Sequence, residues 1–106
     1  MTDIIFEYKE LLATKLEIEQ KLSVLPKGYI SKKTIGGKQY LYLQTRNGDT
    51  VESKYIKAEE VQDISNQLSL RKEYESQLPE ILIRLADIET AAELLDKALL
   101  RKLKML

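Results

Sequence analysis

The sequence of 106 residues contains no cysteine and no histidine. Without cysteine the chain can form no disulfide bond, and it offers no thiolate as a nucleophile or metal ligand. Without histidine it lacks the commonest general base and the commonest metal ligand in proteins. We therefore expect a protein that is not an enzyme, with no catalytic residues, no metal and no cofactor.

The sequence also lacks any run of about eighteen apolar residues, so we expect no membrane-spanning segment. The first residues, MTDIIFEYKE, do not show the basic segment that opens a secretory signal. Hydrophobic residues make up 43% of the chain and charged residues 32%, which is typical of a folded domain. These features predict a single domain over residues 1–106, located in a cytoplasm.

Charge is distributed unevenly, although 17 bases balance 17 acids over the whole chain. Residues 27–57 carry seven bases and two acids, whereas the segments before and after them are both acidic. Such a local excess affects binding more than the overall balance does. The basic segment is therefore the first candidate for a binding site.

Residues 3–25 are predicted to form an amphipathic helix, because apolar residues recur at spacings of three and four. Thr2 or Asp3 can cap its start, and Pro26 and Gly28 favour its end. The main apolar positions are Ile4, Tyr8, Leu11, Ile18, Leu22 and Leu25.

Residues 28–56 change to a period of two and are rich in residues that favour strands. Gly36-Gly37 and Asn47-Gly48 are signals for two-residue hairpin loops, since a type I′ turn needs positive φ at both central residues. We predict a three-stranded antiparallel meander. The loops imply the facing pairs Ile35–Lys38, Lys33–Tyr40, Ser31–Tyr42, Arg46–Asp49, Tyr42–Ser53 and Tyr40–Tyr55.

One side of this predicted sheet, which we call the tyrosine face, gathers aromatic and basic residues. Its rings could pack beneath a helix, or they could form an exposed platform, and the two arrangements could coexist with some tyrosines buried and others not. The opposite side carries aliphatic residues, and a three-stranded sheet needs only one buried side, so we favour exposure. The candidate partner-binding residues on the tyrosine face are Tyr29, Lys33, Lys38, Tyr40, Tyr42, Arg46 and Tyr55.

The helical period returns after the sheet and predicts helices over 58–78 and 79–104, or one helix kinked at Pro79. The overall fold class is therefore α+β. The apolar stripe of the last helix could pack on residues 3–25 or form a coiled-coil-like homodimer. The residues proposed for this dimer or helix packing are Ile81, Leu85, Ile88, Leu95 and Leu99.

Several short motifs lie in the sheet region: Leu25-Pro26, Gly28-Tyr29, Gly37-Lys38, Tyr40, Tyr42-Leu43-Gln44 and Ser53-Lys54-Tyr55. Through them residues 25 to about 75 resemble a group of small bacterial and phage proteins with a tyrosine-rich meander followed by a coiled-coil-like helix. Pro79 departs from the uninterrupted helix of that group. The resemblance implies an accessory protein of a mobile genetic element, without enzymatic activity and located in the cytoplasm of its bacterial host. In size and type, though not in motif, the chain is also similar to anti-CRISPR inhibitors.

Three hypotheses follow. In the first, a non-enzymatic protein of a phage or plasmid uses the tyrosine face to bind and inhibit a nucleic-acid-handling host protein, such as a defence nuclease or nucleoprotein complex. In the second, the same face binds DNA or RNA directly, in an accessory or regulatory role. In the third, the chain is a helical dimerisation module and the sheet is structural. We prefer the first, because the helices are acidic and a dedicated duplex binder is usually basic overall.

Overall fold

The computed structural model describes residues 3–106 and has the predicted α+β fold. The three strands form one antiparallel sheet in the order β1-β2-β3, which is the predicted meander. Within the described residues, no helix combines the length and the apolar character needed to cross a membrane. The elements are α1 (Ile4–Val24), β1 (Tyr29–Ile35), β2 (Lys38–Asn47), β3 (Thr50–Ile56), a short 3-10 helix (Ala58–Glu60), α2 (Val61–Leu95) and α3 (Lys97–Lys104).

The chain divides into two compact units, and α2 contributes to both. The helical unit contains the described part of residues 1–23 together with residues 74–106. The sheet unit contains residues 24–73. The whole sheet belongs to the sheet unit, whereas the main hydrophobic cluster belongs to the helical unit.

The start of α1 is capped by Asp3, whose side chain accepts a hydrogen bond from the backbone N–H of Ile5 at 3.0 Å. Asp3 is one of the two predicted caps. Its side chain satisfies a backbone amide that has no partner within the helix. The other predicted cap, Thr2, lies outside the described residues.

The helical unit is held together by a cluster of apolar side chains from α1, α2 and α3. Leu85, Ile88 and Ala92 follow the spacing of three and four along α2, so they share one side of that helix. The apolar stripe therefore packs within the chain, which was one of the two predicted arrangements. The buried members are Tyr8, Leu85, Ile88, Ala92 and Leu103, and the half-buried ones are Ile4, Ile5, Leu11, Leu12, Ile81, Leu99 and Leu100.

Leu95 lies apart from the other proposed packing residues. It is the last residue of α2 and its side chain is 76% exposed, whereas Ile81, Leu85, Ile88 and Leu99 belong to or pack on the core. The stripe does not extend to Leu95 because α2 ends there. Homodimerisation through the C-terminal helices stays a prediction.

Polar contacts show that α1 and the second part of α2 run antiparallel in the helical unit. Tyr8, near the start of α1, donates a hydrogen bond from its hydroxyl to Glu89 Oε1 at 2.7 Å. Lys21, near the end of α1, places its ammonium 5.4 Å from the ring centre of Tyr74, which comes earlier in α2. Burial, together with the bond to Glu89, raises the pKa of Tyr8 to about 12, so this hydroxyl stays protonated and able to donate.

The two C-terminal helices meet at Asp96 and not at Pro79, so the predicted boundary between residues 78 and 79 is wrong. The alternative, one helix that runs through Pro79, agrees with the structure as far as Leu95, and a kink at Pro79 stays a prediction. Proline inside a helix costs about 3 kcal/mol, through the missing backbone hydrogen bond and the clash with the preceding turn. α2 nevertheless continues through Pro79, because packing of the flanking turns can exceed this cost. Asp96 instead adopts an extended backbone, and its side chain accepts a hydrogen bond from the amide of Ala98 at 2.9 Å. Asp96 is therefore the N-cap that starts α3.

Replacing Pro79 by alanine should stabilise the protein, because alanine restores the missing amide donor and removes the clash with the preceding turn. We expect the free energy of unfolding to rise by about 1–3 kcal/mol, as measured by chemical denaturation. Glu80→Ala, at the neighbouring exposed position, is the control and should change it by less than about 0.5 kcal/mol. A lower stability of Pro79→Ala would contradict this account of the helix.

In the sheet unit the chain passes close to β2 just before β1 begins. Gly28 has a φ of +110°, and a Cβ added there would collide with the backbone oxygen of Gln44. The Thr45 hydroxyl donates a hydrogen bond to the carbonyl of Lys27 at 3.1 Å and fixes the same crossing. Arg71 of α2 donates to the carbonyl of Leu25 at 3.0 Å. Glycine is therefore required at position 28 for both its backbone angle and its missing side chain.

Gly28→Ala should destabilise the sheet unit more than Gly37→Ala does. Both glycines have positive φ, but a Cβ at Gly37 would meet no atom within 4 Å. We expect Gly37→Ala to cost about 1–2 kcal/mol from the backbone angle alone, and Gly28→Ala to cost more because β2 must also move. Equal losses in a denaturation experiment would show that the close approach to Gln44 is unimportant.

Candidate binding face

The first hairpin has the predicted register. Gly36 and Gly37 form the loop with φ values of +60° and +81°, as a type I′ turn requires. All three predicted pairs between β1 and β2 are present: Ile35–Lys38, Lys33–Tyr40 and Ser31–Tyr42.

The second hairpin turns one residue later than predicted. Asn47 pairs with Thr50, so the loop residues are Gly48 and Asp49. The predicted loop at Asn47-Gly48 is therefore wrong, and with it the pairs Arg46–Asp49, Tyr42–Ser53 and Tyr40–Tyr55. The observed facing pairs include Arg46–Val51, Tyr42–Tyr55, Leu43–Lys54 and Leu41–Ile56.

Backbone angles and apolar pairing explain this difference. Gly48 has a φ of +62°, whereas no residue other than glycine has a positive φ within residues 3–106. A loop with positive φ only at its first central residue is of type II′, which favours glycine there. The observed register also pairs Leu41 with Ile56, which is 3% exposed, whereas the predicted register would have placed Ile56 opposite Gln39. An apolar pair that includes a buried residue outweighs the predicted exposed pair of Arg46 with an acid.

The shift leaves the two sides of the sheet unchanged. Moving a two-residue loop by one position changes each facing partner by two residues, and side chains alternate with a period of two. The strand pairing therefore places all seven predicted residues on one side, together with Ile35 and Val51. These seven are Tyr29, Lys33, Lys38, Tyr40, Tyr42, Arg46 and Tyr55.

The tyrosine face is open to solvent. Tyr29 is 61% exposed and Tyr55 is 52% exposed, and Tyr40 and Tyr42 are half-buried. On the opposite side Ile56 is buried, and the other aliphatic residues, Ile30, Leu41 and Leu43, are half-buried. Of the arrangements considered from the sequence, the structure is nearest to the exposed platform, because none of these four tyrosines is buried.

The tyrosine rings form a cluster at the centre of this face. The ring centre of Tyr55 lies 5.9 Å from that of Tyr42 at 68°, and 6.2 Å from that of Tyr40 at 58°. Aromatic pairs favour such tilted arrangements, because the positive ring edge meets the negative face of its neighbour. The ring of Tyr55, which belongs to the same face, therefore covers part of Tyr40 and Tyr42.

Two further contacts hold side chains on the face. The ammonium of Lys33 lies 4.8 Å from the ring centre of Tyr42, which is a cation–π contact. Tyr29 donates a hydrogen bond from its hydroxyl to Gln44 Oε1 at 2.7 Å. Gln44 was not predicted as a site residue, although its position opposite Tyr29 follows from the predicted pairing of β1 with β2.

The face is positively charged, because its bases are not matched by acids from the same segment. Lys33, Lys38 and Arg46 are all exposed. Of the two acids in residues 27–57, Asp49 lies in the second loop and Glu52 lies on the opposite side of the sheet. The face can therefore attract anions and present aromatic surface to them. In the described part of the chain, no group of three or more potential ligand side chains is placed to hold a metal ion.

An open pocket of about 220 Å³ adjoins this face at the start of β1. Its wall comes from the β1 end of the sheet and from the sheet-unit part of α2, with both apolar and polar side chains. Tyr29 belongs to both the pocket and the tyrosine face. The lining residues are Gly28, Tyr29, Ile30, Ser65, Leu68, Ser69 and Lys72.

Residues 8–66 match the model of a protein family described as a domain of unknown function, DUF6788. The chain belongs to this family. The matched region contains the whole sheet, so the tyrosine face lies within the DUF6788 domain, whereas Pro79 and α3 lie beyond it. No curated protein and no solved structure matches the chain.

Direct contact of two rings across strands in the DUF6788 domain should appear as an energetic coupling. In a double-mutant cycle, Tyr42→Ala and Tyr55→Ala should be coupled by about 0.5–1.5 kcal/mol of unfolding free energy. The control cycle pairs Tyr42→Ala with Ser53→Ala, the partner in the register that the structure excludes, and should give a coupling near zero. A larger coupling in the control would contradict the observed register.

Proposed function

We propose that the chain is a non-enzymatic binding protein of a mobile genetic element. Through the tyrosine face it attaches to a nucleic-acid-handling host protein or nucleoprotein complex, such as a defence nuclease with its nucleic acid, and inhibits it. The observation that carries the binding role is a cluster of tyrosine rings flanked by three exposed cations, with the two acids of residues 27–57 both placed elsewhere. The mobile genetic element is proposed from the resemblance of residues 25 to about 75.

The ring cluster supports a role in binding. Tyrosine and arginine are enriched among residues that contribute most to binding energy, because they offer large contact area and hydrogen bonds together. The contacts of Tyr55 with Tyr40 and Tyr42 hold the rings in place before a partner arrives. Such preorganisation lowers the entropy lost on binding.

The charge of the face indicates the kind of partner. Lys33, Lys38 and Arg46 give it a positive potential, which raises the rate of encounter with an anionic surface. A complex that handles nucleic acid carries phosphates, and its catalytic centre commonly carries carboxylates. Both are anions that this face would attract.

Affinity capture from a bacterial lysate with charge-reversed variants tests the proposal. Lys33→Glu/Arg46→Glu reverses two charges on the tyrosine face. The control variant, Lys32→Glu/Lys54→Glu, also reverses two exposed charges of the sheet. These two lysines belong to β1 and β3 and lie on the side opposite to the tyrosine face. We expect wild type and the second variant to retain the same nucleic-acid-handling complex, and the first variant to lose at least about tenfold of it by quantitative mass spectrometry.

The captured complex is then assayed for its own activity on nucleic acid with and without added protein. Wild type should reduce that activity and the face variant should not, while circular dichroism confirms that both are folded. Equal capture by both variants would refute a role for the tyrosine face. Capture without any loss of activity would refute inhibition.

A further inference from the structure

We infer that the tyrosine face binds single-stranded nucleic acid, with bases stacked on Tyr29 and Tyr55 and phosphates held by Lys33, Lys38 and Arg46. This inference rests on the proposed function, and it names the component of the nucleoprotein partner that the face contacts. It commits to nucleic acid, and an acidic protein surface is the competing outcome of the test.

The exposed rings are suited to unpaired bases. Tyr29 and Tyr55 are more than half exposed, so each has ring surface available to a flat partner. Tyr29 is held by Gln44 through its hydroxyl, and Tyr55 is held by the rings of Tyr40 and Tyr42. In a duplex the base faces are already stacked on each other, whereas a single strand can turn its bases onto aromatic side chains.

The cations lie on both sides of the rings along β2. Lys38 is the first residue of this strand and Arg46 is next to its last, eight residues further on. At about 3.3 Å per residue these two positions are roughly 26 Å apart. Tyr40 and Tyr42 lie between them on the same face, and Tyr55 of β3 packs on both. A strand of nucleic acid that follows β2 would therefore meet a cation at each end and aromatic rings in the middle.

The composition of the face favours phosphate over a protein surface. Lysine is depleted at protein interfaces relative to the rest of the surface, yet two of the three cations here are lysines. The face carries neither Asp49 nor Glu52, which a mixed protein interface would use as readily as bases. The net charge of the whole chain is zero, which argues against a dedicated duplex binder that relies on many phosphate contacts.

Fluorescence anisotropy on the full chain tests the inference, with labelled 12-nucleotide oligothymidylate, 12-nucleotide oligouridylate and a 12-base-pair DNA duplex as probes. We expect both single strands to bind more tightly than the duplex. Tyr29→Ala and Tyr55→Ala should each weaken single-strand binding by roughly 5- to 150-fold, the range for loss of one stacked base. Tyr55→Phe keeps the ring and should stay close to wild type. Any difference between the two single strands identifies the preferred sugar.

Salt dependence tests the phosphate contacts separately. Lys38→Gln and Arg46→Gln should each reduce the slope of log Kd against log salt concentration by about 0.7, the value for one phosphate contact on a single strand. The control is Lys32→Gln, which neutralises an exposed lysine on the opposite side of the sheet and should leave the slope unchanged.

Three outcomes would overturn the inference: no binding of either single strand at low salt by folded protein, equal binding of the duplex, or an equal effect of Lys32→Gln. Affinity capture from a nuclease-treated lysate shows whether only the inference on nucleic acid fails or whether the proposed function fails as well. A protein retained there by wild type and lost by Lys33→Glu/Arg46→Glu, without oligonucleotide binding, would overturn the inference and support the proposed function. Absence of both kinds of binding would overturn both.

Discussion

Alternation of side chains along paired strands is the constraint on which the tyrosine face depends. Two-residue loops at Gly36-Gly37 and Gly48-Asp49 hold three strands in a fixed register, and the positive φ of these glycines makes such short loops possible. Each strand then sends every second side chain to the same side. One extra residue in either loop could move the face residues of the adjoining edge strand, β1 or β3, to the other side of the sheet.

Tyrosine has different roles in the two units. In the helical unit Tyr8 is buried, and its hydroxyl is satisfied by Glu89, so the ring contributes to the core without leaving a polar group unpaired. In the sheet unit Tyr29 donates a hydrogen bond to Gln44 at the surface and is more than half exposed. The hydrophobic cluster of the helical unit contains none of the rings of the tyrosine face.

The two hairpins show how much of the site could be predicted from the sequence. Gly36-Gly37 offers one good loop, and its register was correct. Residues 47–49, Asn-Gly-Asp, offer two, because Asn-Gly favours a type I′ turn and Gly-Asp suits a type II′ turn. Local preference does not separate them. The observed loop is the one that pairs Leu41 with Ile56 on the side opposite to the tyrosine face. The advantage of this pair depends on which side of the sheet is buried, which the loop residues do not show.

The end of α2 shows the same limit. Pro79 is a strong local signal for the end of a helix. Its energetic cost is limited, however, and the packing energy of a long helix can exceed that cost. Asp96 is a weaker local signal, yet it caps a new helix whose Leu103 is fully buried. Exposure of the tyrosine rings likewise could not be read from residues 28–56 alone, because it depends on which side of the sheet the rest of the chain covers.

The contact between Lys33 and Tyr42 makes the tyrosine face chemically uneven. The ammonium of Lys33 lies 4.8 Å from the ring centre of Tyr42, so it already occupies one side of that ring in the free protein. Any flat group that is to stack on this side of Tyr42 must first displace the lysine, whereas Tyr29 and Tyr55 impose no such exchange. A flat group that stacked on this side of Tyr42 would therefore replace the ammonium of Lys33, which would then be free to contact an anion.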